Sequence, residues 1–581
     1  MSHNGSSVSH EGLDVMRHSA AHVLAKAVQQ LYPGSKLGIG PVIENGFYYD
    51  IDIPAKLSED DLPRIEERMR ALVTADEPFQ REEWSKQQAL EHYSSREDNP
   101  YKREIVEGLA DDESISFYRT GEDWVDLCRG PHVDRSARVG PFKLLSVSGA
   151  YWRGDENRPM LQRIYGTAWE SADQLEHYLW QIEEAKKRDH RKLGRELELF
   201  FFDEVAPGQP FWLPKGLRVI RELEALLNRE LNRRGYLDIS TPALVKSDMW
   251  KQSGHWDFYE HGMFKLQVEE EDYAFKPMNC PESTLVYRFK TRSYRDLPLR
   301  FSQTDRLLRN ERSGTLNGLL RVRQLTMDDA HIYCRPDQVQ EEISGVLEFQ
   351  RAIYDVFGLE PRFYLSTRPE KAIGDPAVWE TAEADLRAAL DANGLGYEVK
   401  EGQGAFYGPK IDVDIQDAVG RPWQMNTTQL DFQMPERFAL EYIGEDGHAH
   451  RPVIVHRAIY GTYERFIAVL VEHFAGAFPL WLAPVQAVVV PIADRHNDYA
   501  RSVSAALVNA GFRVEVDERR ETMRAKIRDA QAQQVPYMLV VGDRDQDAGT
   551  VSVRERRQGD LGAMPLSELC GLLEERRTAH T

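Results

Sequence analysis

The chain has 581 residues, several times the size of one compact domain, so three or four domains are expected. Its hydrophobic fraction of 41% and charged fraction of 29% belong to a soluble globular protein, and no run of about 18 apolar residues is present to span a bilayer. A formal net charge of -21 excludes a protein that coats nucleic acid through its overall charge, although a local basic patch can still bind phosphates.

The polar opening MSHNGSSVSHEG predicts a flexible tail over 1–12 and no signal peptide, which points to the cytoplasm and away from membranes. From Leu13 to Leu31 the residues Leu13, Met16, Ala20, Val23, Leu24, Ala27 and Leu31 follow helical spacing, and Pro33-Gly34 stops the helix. A mixed α/β region follows to about 172. The charged stretch over 173–198 predicts one connecting helix. A turn-rich entry then leads into 199–480, where short β-rich runs such as RPVIVH alternate with long helices, as in an α+β domain on an antiparallel sheet. In 481–581, VQAVVVPI, FRVEVDE and PYMLVVGD read as strands separated by helices, a small α/β domain with a mainly parallel sheet.

Four cysteines (Cys128, Cys280, Cys334 and Cys570) are too few and too scattered for a disulfide framework, so each is a buried thiol, a reactive thiol or a metal ligand. In the middle domain Arg309 and Glu311 follow the strand-like LRFSQTDRLL, Arg321 and Arg323 come soon after, and Arg465 lies at the start of a helix in GTYER. Arginines so placed suit a triphosphate and the charge that develops at its α-phosphorus, and a glutamate suits an adenine amino group. Singly, each is as readily a surface salt-bridge residue. In the N-terminal region His18-x-x-x-His22 and Cys128-x-x-x-His132 form a second set. The apolar arc of the first helix centres on Met16, Ala20, Val23 and Ala27, so His18 and His22 fall on the opposite side, either as a solvated face or as part of a site. Together with Cys128 and His132 they invite a zinc reading.

Taken in order, Gly235-Tyr236 with Thr241-Pro242, the Arg309/Glu311 pair and Gly461 to Arg465 resemble the three signature motifs of class II aminoacyl-tRNA synthetases. KPMNCP around Cys280, DDAHIYC around His331, GAFYGPKIDV, TQLDF and HRAIYGTYERF resemble the threonyl-tRNA synthetase family specifically, from about residue 13 to the C-terminus. The resemblance implies an α+β multidomain protein: an editing domain over 13–172, a linker over 173–198, a class II catalytic domain over 199–480 and an anticodon-binding domain over 481–581. The family's small N-terminal domain is expected to be missing.

It further implies that Cys280, His331 and His456 bind one zinc ion, with Asp329 receiving the threonine hydroxyl. The three ligands lie too far apart to form a local metal signature. Cys334 is left out because, three residues after His331 on a strand, it points to the other face. Arg309 and Glu311 would contact the α-phosphate and adenine of ATP, which is bound with magnesium, and Arg321 and Arg465 its γ-phosphate end. Tyr407, Lys410, Gln424, Thr427 and Gln429 would line the pocket for threonine, ATP and the tRNA acceptor end. His18, His22, Lys102, Asp126, Cys128 and His132 would form an editing pocket for mischarged seryl-tRNA that needs no metal, with Tyr49 a further member. Arg554 and Asp545 would serve the anticodon of tRNA(Thr), and the motif around Gly235 implies a homodimer. Two places depart from the family pattern: Met327, where Gln is common, and Met425-Asn426, where Cys-Gly is common. A noncatalytic or inhibitor-resistant paralogue is the rival expectation.

Overall fold

The computed structural model describes residues 10–110, 114–417 and 419–580, so residues 1–9 of the expected tail lie outside it. The chain forms two compact units, Met1–Glu183 and Glu184–Thr581. Among the described residues no helix is long and apolar enough to cross a membrane.

In the first unit the helix His10–Leu31 ends just before Pro33 and Gly34, where Gly34 takes φ +88°. With the helix Leu62–Thr74 it packs on an antiparallel sheet whose central strands are Gly46–Asp52, Met160–Ala168 and Phe142–Tyr151. A separate three-stranded antiparallel sheet, Phe79–Trp84, Ile115–Thr120 and Trp124–Leu127, carries the helix Pro100–Glu107 beside it. The first helix is enclosed almost all round. Ala20, Val23 and Ala27 are buried in the core, and so are Arg17, Ser19, His22 and Lys26 on its polar side. Of the two readings left for His18 and His22, a solvated face is excluded for His22, which is 2% exposed. A helical wheel shows which side is polar, not whether another sheet covers it.

The expected single helix over 173–198 is two helices, Ala172–Arg188 and His190–Glu196. Asp189 breaks the run: its ψ of 117° is not helical, and its carboxylate accepts from the Arg191 amide at 2.8 Å to cap the second helix.

The second unit is built on an eight-stranded sheet in the order Leu237–Asp238, Leu299–Leu308, Gln324–Cys334, Val453–Thr462, Pro422–Asp431, Lys410–Gln416, Pro361–Ser366 and Tyr397–Lys400. It is antiparallel except at its two outer pairs. One core joins one face of this sheet to the helices Pro214–Arg233, Val339–Phe357, Pro376–Ala392 and Tyr463–His473. The first of these helices supplies Val219, Leu223, Leu226 and Leu231 at spacings of three to five residues, each side chain contributing about 1.5–3 kcal/mol on burial. The other face of the sheet is left to the site.

The C-terminal sheet runs in the order Val514–Val516, Ala487–Pro491, Tyr537–Val541, Thr550–Glu555 and Gly559–Pro565. The three strands read from sequence are parallel, and the last two add an antiparallel hairpin that the sequence reading did not separate.

Candidate active sites

One cross-strand row assembles the first candidate site. His331 lies opposite His456, His456 opposite Gln429 and Gln429 opposite Lys410. Directly opposed residues face the same side, so strand register alone brings together side chains far apart in sequence. Cys280, the first residue of the helix Cys280–Arg288, completes the group: one ligand atom each from Cys280, His331 and His456 lie within 4.8 Å of one another. Cys334 points the other way, into the main core with Ala330 and Ile332.

These donors suit a transition metal. His331 is 1% exposed, yet neither ring nitrogen has a hydrogen-bond partner, which buried polar atoms seldom tolerate. Burial holds its imidazole well below the usual imidazole range and the Cys280 thiol well above the usual thiol range. His456 is oriented by a 3.0 Å bond between its Nε2 and Asp431 Oδ2, the carboxylate partner characteristic of metal-ligating histidines. One sulfur and two imidazoles are compatible with zinc and leave a fourth position for a substrate. Asp329 lies beside this position, accepting from Asn279 Nδ2 at 3.2 Å, and burial raises its carboxyl.

The cavity has a volume of about 380 Å³ and is lined by Arg309, Glu311, Arg321, Asp329, Tyr407, Gln424, Thr427, Gln429 and Arg465 as well as the three metal donors. Tyr407 donates to Gln429, and Gln429 donates to Thr427 Oγ1 at 2.8 Å. Three guanidinium groups converge here. Burial, then the charges of Arg309 and Arg321, lower the pKa of Arg465, and Glu311 opposes them. Arg465 is held by the carbonyls of Leu320 at 3.2 Å and Gln424 at 3.0 Å. Lys410 stands at the end of the row but is not in the cavity wall; its ammonium pairs with Asp412 at 2.9 Å.

Two irregularities shape the wall. Asn426 pairs with Val413 and Gln424 with Asp414, so Met425 is an extra residue in a β-bulge. The bulge turns Gln424 to the same face as Thr427 and Gln429, which strict alternation would forbid. Nearby, Gly461 takes φ +79°, and a Cβ there would lie 2.1 Å from the Met425 carbonyl oxygen. Its amide donates to Asp328 Oδ1 at 2.9 Å, and that of Ile459 to Oδ2 at 2.8 Å.

The first unit holds a second cavity, of about 510 Å³, lined among others by His18, His22, Tyr49, Lys102, Asp126 and Cys128. Lys102 Nζ lies 2.8 Å from Asp126 Oδ1, and Tyr49 donates to the same carboxylate. Cys128 Sγ is 3.2 Å from Nε2 of both His18 and His132. His132 is not in the wall; it stacks on Phe79 behind Cys128 and bonds Ser19 Oγ at 3.1 Å. Burial pushes the Cys128 thiol up to about 11 and the imidazoles of His18, His22 and His132 down, so at neutral pH the site offers a thiol, uncharged imidazoles and one ammonium–carboxylate pair. Neutral imidazoles can take a proton from water, and Lys102 can stabilise a developing oxyanion. The four His and Cys donor atoms also lie within 4.8 Å of one another, so the metal reading is geometrically open as well.

Three family models match in chain order: the threonyl and alanyl tRNA synthetase second additional domain on 115–165, the tRNA synthetase class II core domain (G, H, P, S and T) on 264–474, and an anticodon binding domain on 486–576. The chain is 51% identical over 565 residues to the threonine–tRNA ligase of Desulforamulus reducens, covering 97% of this chain and 89% of that protein. It belongs to the threonine–tRNA ligase family. The family member from Thermotoga maritima is 53% identical over 551 residues, 94% of this chain and 85% of its own. Among solved structures, the RNA binding domain of threonyl-tRNA synthetase from Cryptosporidium parvum superposes with a TM-score of 0.65 at 42% identity, covering 67% of this chain and 98% of that one.

Against the threonine–tRNA ligase pattern, Met425 and Asn426 both border the cavity, but the Asn426 side chain is taken up by internal partners. Its amide donates to Tyr354 and to the Ile459 carbonyl and accepts from Gln350 at 3.1 Å. Met327 lines the wall as well. In the C-terminal sheet, Arg554 follows Thr550 and Ser552 on one face of its strand, while Asp545 is buried and accepts from Ser552 Oγ at 3.0 Å and the Gly542 amide at 3.2 Å. Arg556 is committed to the carbonyls of Ala477 and Phe478. Sequence reasoning missed Asp431, Asn279, Asp412 and Asp328, which orient the ligands and wall. All four stand inside quoted motifs, Asn279 in KPMNCP, Asp328 in DDAHIYC, Asp412 in GAFYGPKIDV and Asp431 in TQLDF, the signal that could have found them.

Proposed function

We propose that this chain is a threonine–tRNA ligase that activates threonine with ATP, transfers it to tRNA(Thr) and hydrolyses mischarged seryl-tRNA in its N-terminal unit. The observation that carries the reading is the buried Cys280, His331 and His456 cluster at one side of a cavity whose other side gathers Arg309, Arg321 and Arg465. Cys280, His331 and His456 would hold zinc, which would supply a Lewis acid for the amino and hydroxyl groups of threonine, and valine has no hydroxyl to offer it. Asp329 receives the hydroxyl proton's bond and Arg309 the carboxylate. Glu311 reads the adenine amino group, and Arg321 and Arg465 hold the γ-phosphate end of ATP with its magnesium. The threonine carboxylate attacks the α-phosphorus and pyrophosphate leaves; the terminal ribose hydroxyl of tRNA then attacks the adenylate and AMP leaves. Tyr407, Gln424, Thr427 and Gln429 orient these groups, and Lys410 acts from behind through Asp412. Catalysis is positioning and electrostatics, with no covalent enzyme intermediate.

Serine keeps both groups that zinc would bind and lacks one methyl, which discriminates by only about 10- to 200-fold. A second site that hydrolyses the mischarged product is required, and the His18, His22, Lys102, Asp126, Cys128 and His132 group is the proposed one. Arg554 is the proposed anticodon contact, with Asp545 ordering its strand, and the Gly235 to Pro242 segment the proposed homodimer contact. The test is threonine-dependent ATP–pyrophosphate exchange, run against serine and valine, with zinc measured on the same sample. Cys280→Ala and His331→Ala are expected to lose zinc and threonine activation together; stoichiometric zinc with normal exchange in either variant refutes the assignment.

A further inference from the structure

The helix Tyr463–His473, which carries Arg465 in its first turn, ends on a buried network with no part in the chemistry above. Glu472, in its last turn, accepts from Nδ1 of His190 at 2.7 Å and from the His190 backbone amide at 3.2 Å. Its other oxygen pairs with Arg421, which also donates to Asp417 at 2.7 Å. On the far edge of the ring, the Leu319 amide donates to His190 Nε2 at 3.0 Å. An amide only donates, so Nε2 carries the lone pair and Nδ1 the proton given to Glu472; both bonds demand the same tautomer. His190 is 1% exposed and Leu319 fully buried.

Leu319 lies in the turn that carries Arg321. The turn is closed by Asn317 N to Arg321 O at 3.1 Å and Leu320 N to Asn317 O at 2.9 Å, and the Leu319 amide has His190 as its partner. One residue on, the Leu320 carbonyl accepts from Arg465 Nε at 3.2 Å. A continuous set of contacts thus runs from Glu472 through His190 and the turn back to Arg465. The fit dictates Gly318: it takes φ +47°, and a Cβ there would lie 2.2 Å from His190 Nε2 and 2.8 Å from Arg191 Cγ.

We infer that His190 is a positioning residue for nucleotide binding, anchoring the Asn317–Arg321 turn to Glu472 so that Arg321 and the Leu320 carbonyl that holds Arg465 keep their places at the triphosphate. The inference rests on the reading of the cavity as an ATP site. Arg321 is half exposed, its nearest carboxylate, Glu311, lies 3.9 Å away, and it shares the cavity with Arg309 and Arg465, so the place of its backbone decides where its charge sits. His190 touches no substrate; it acts through the turn.

The test uses the full chain in threonine-dependent ATP–pyrophosphate exchange. In His190→Asn the amide nitrogen replaces Nδ1 as donor to Glu472, but the side chain is too short to reach Leu319. In His190→Gln the amide oxygen reaches the place of Nε2. His190→Asn is expected to raise KM for ATP about tenfold or more, the cost of an orphaned buried amide. KM for threonine should stay within about twofold and zinc content unchanged, because neither depends on the turn. His190→Gln should recover most of the ATP affinity. Gly318→Ala leaves the ring in place, pushes the turn off it, and should reproduce the ATP defect; it decides the matter if His190→Asn does not fold. An unchanged KM for ATP, equal rises for ATP and threonine, or equal defects in Asn and Gln would each show that the ring merely fills space. Wild-type protein without exchange activity would sink the ATP reading itself, independently of the variants.

Discussion

Asp431→Asn isolates the orientation of one proposed metal ligand from the fold around it. Asp431 is fully buried, and its oxygens are all in use: Oδ1 accepts from the amides of Gln433 at 2.7 Å and Met434 at 2.9 Å, and Oδ2 meets His456 Nε2 at 3.0 Å. Asparagine keeps one carbonyl for the two amides, so the start of the short helix Gln433–Arg437 is preserved. Its NH2 group then faces His456 Nε2, donor against donor. The ring answers by moving its proton to Nδ1, which removes the lone pair that Nε2 protonation had left for a metal. Loss of such an outer partner costs about 10- to 100-fold in metal affinity, or roughly 1.4 to 2.7 kcal/mol. Competition against a chromophoric chelator is expected to show that weakening, with threonine-dependent exchange falling in parallel and recovering at high zinc, while circular dichroism stays native. Zinc affinity equal to wild type, or lost exchange that excess zinc does not restore, would refute this account of His456.

The two cavities should fail separately. His18→Ala with His22→Ala is expected to leave threonine activation near normal and to accumulate seryl-tRNA, measured by serine charging of tRNA; a chelator that abolishes wild-type deacylation of preformed seryl-tRNA would instead favour a metal hydrolase at His18, His22, Cys128 and His132. Glu464 gives a pH signature: it accepts from the Thr326 amide at 2.8 Å, and burial raises its pKa from the ordinary 4.5 to about 7. The folded state thus holds a proton that the unfolded chain releases, so the stability Glu464 contributes is complete below pH 4.5 and lost as pH rises through about 7. Glu464→Gln should therefore gain stability on wild type between pH 5 and pH 8, by about 3 kcal/mol at most, read as Tm curves that diverge with pH; parallel Tm curves would contradict it.

Much of this protein was legible in its sequence because the signals are local. The strands RPVIVH, VQAVVVPI and PYMLVVGD, the Pro33-Gly34 stop and the junction at Thr462, whose hydroxyl accepts from the Arg465 amide at 3.2 Å, each rest on neighbours a few residues apart. Long ordered motifs around Cys280, His331 and His456 sufficed for the family. Tertiary structure alone decided what depends on strand register and on what covers a face. The row His331, His456, Gln429 and Lys410 exists because four strands pair in one register, and the Met425 bulge reverses the side on which Gln424 would otherwise stand. His22 is buried by a sheet that no wheel reveals, Lys410 and Asp545 are drawn to internal partners, and Asp189 splits the linker by leaving helical backbone geometry. Hydrogen-bond pairing between distant strands and burial by distant elements are non-local energies, and a spacing rule that looks only a few residues ahead cannot contain them.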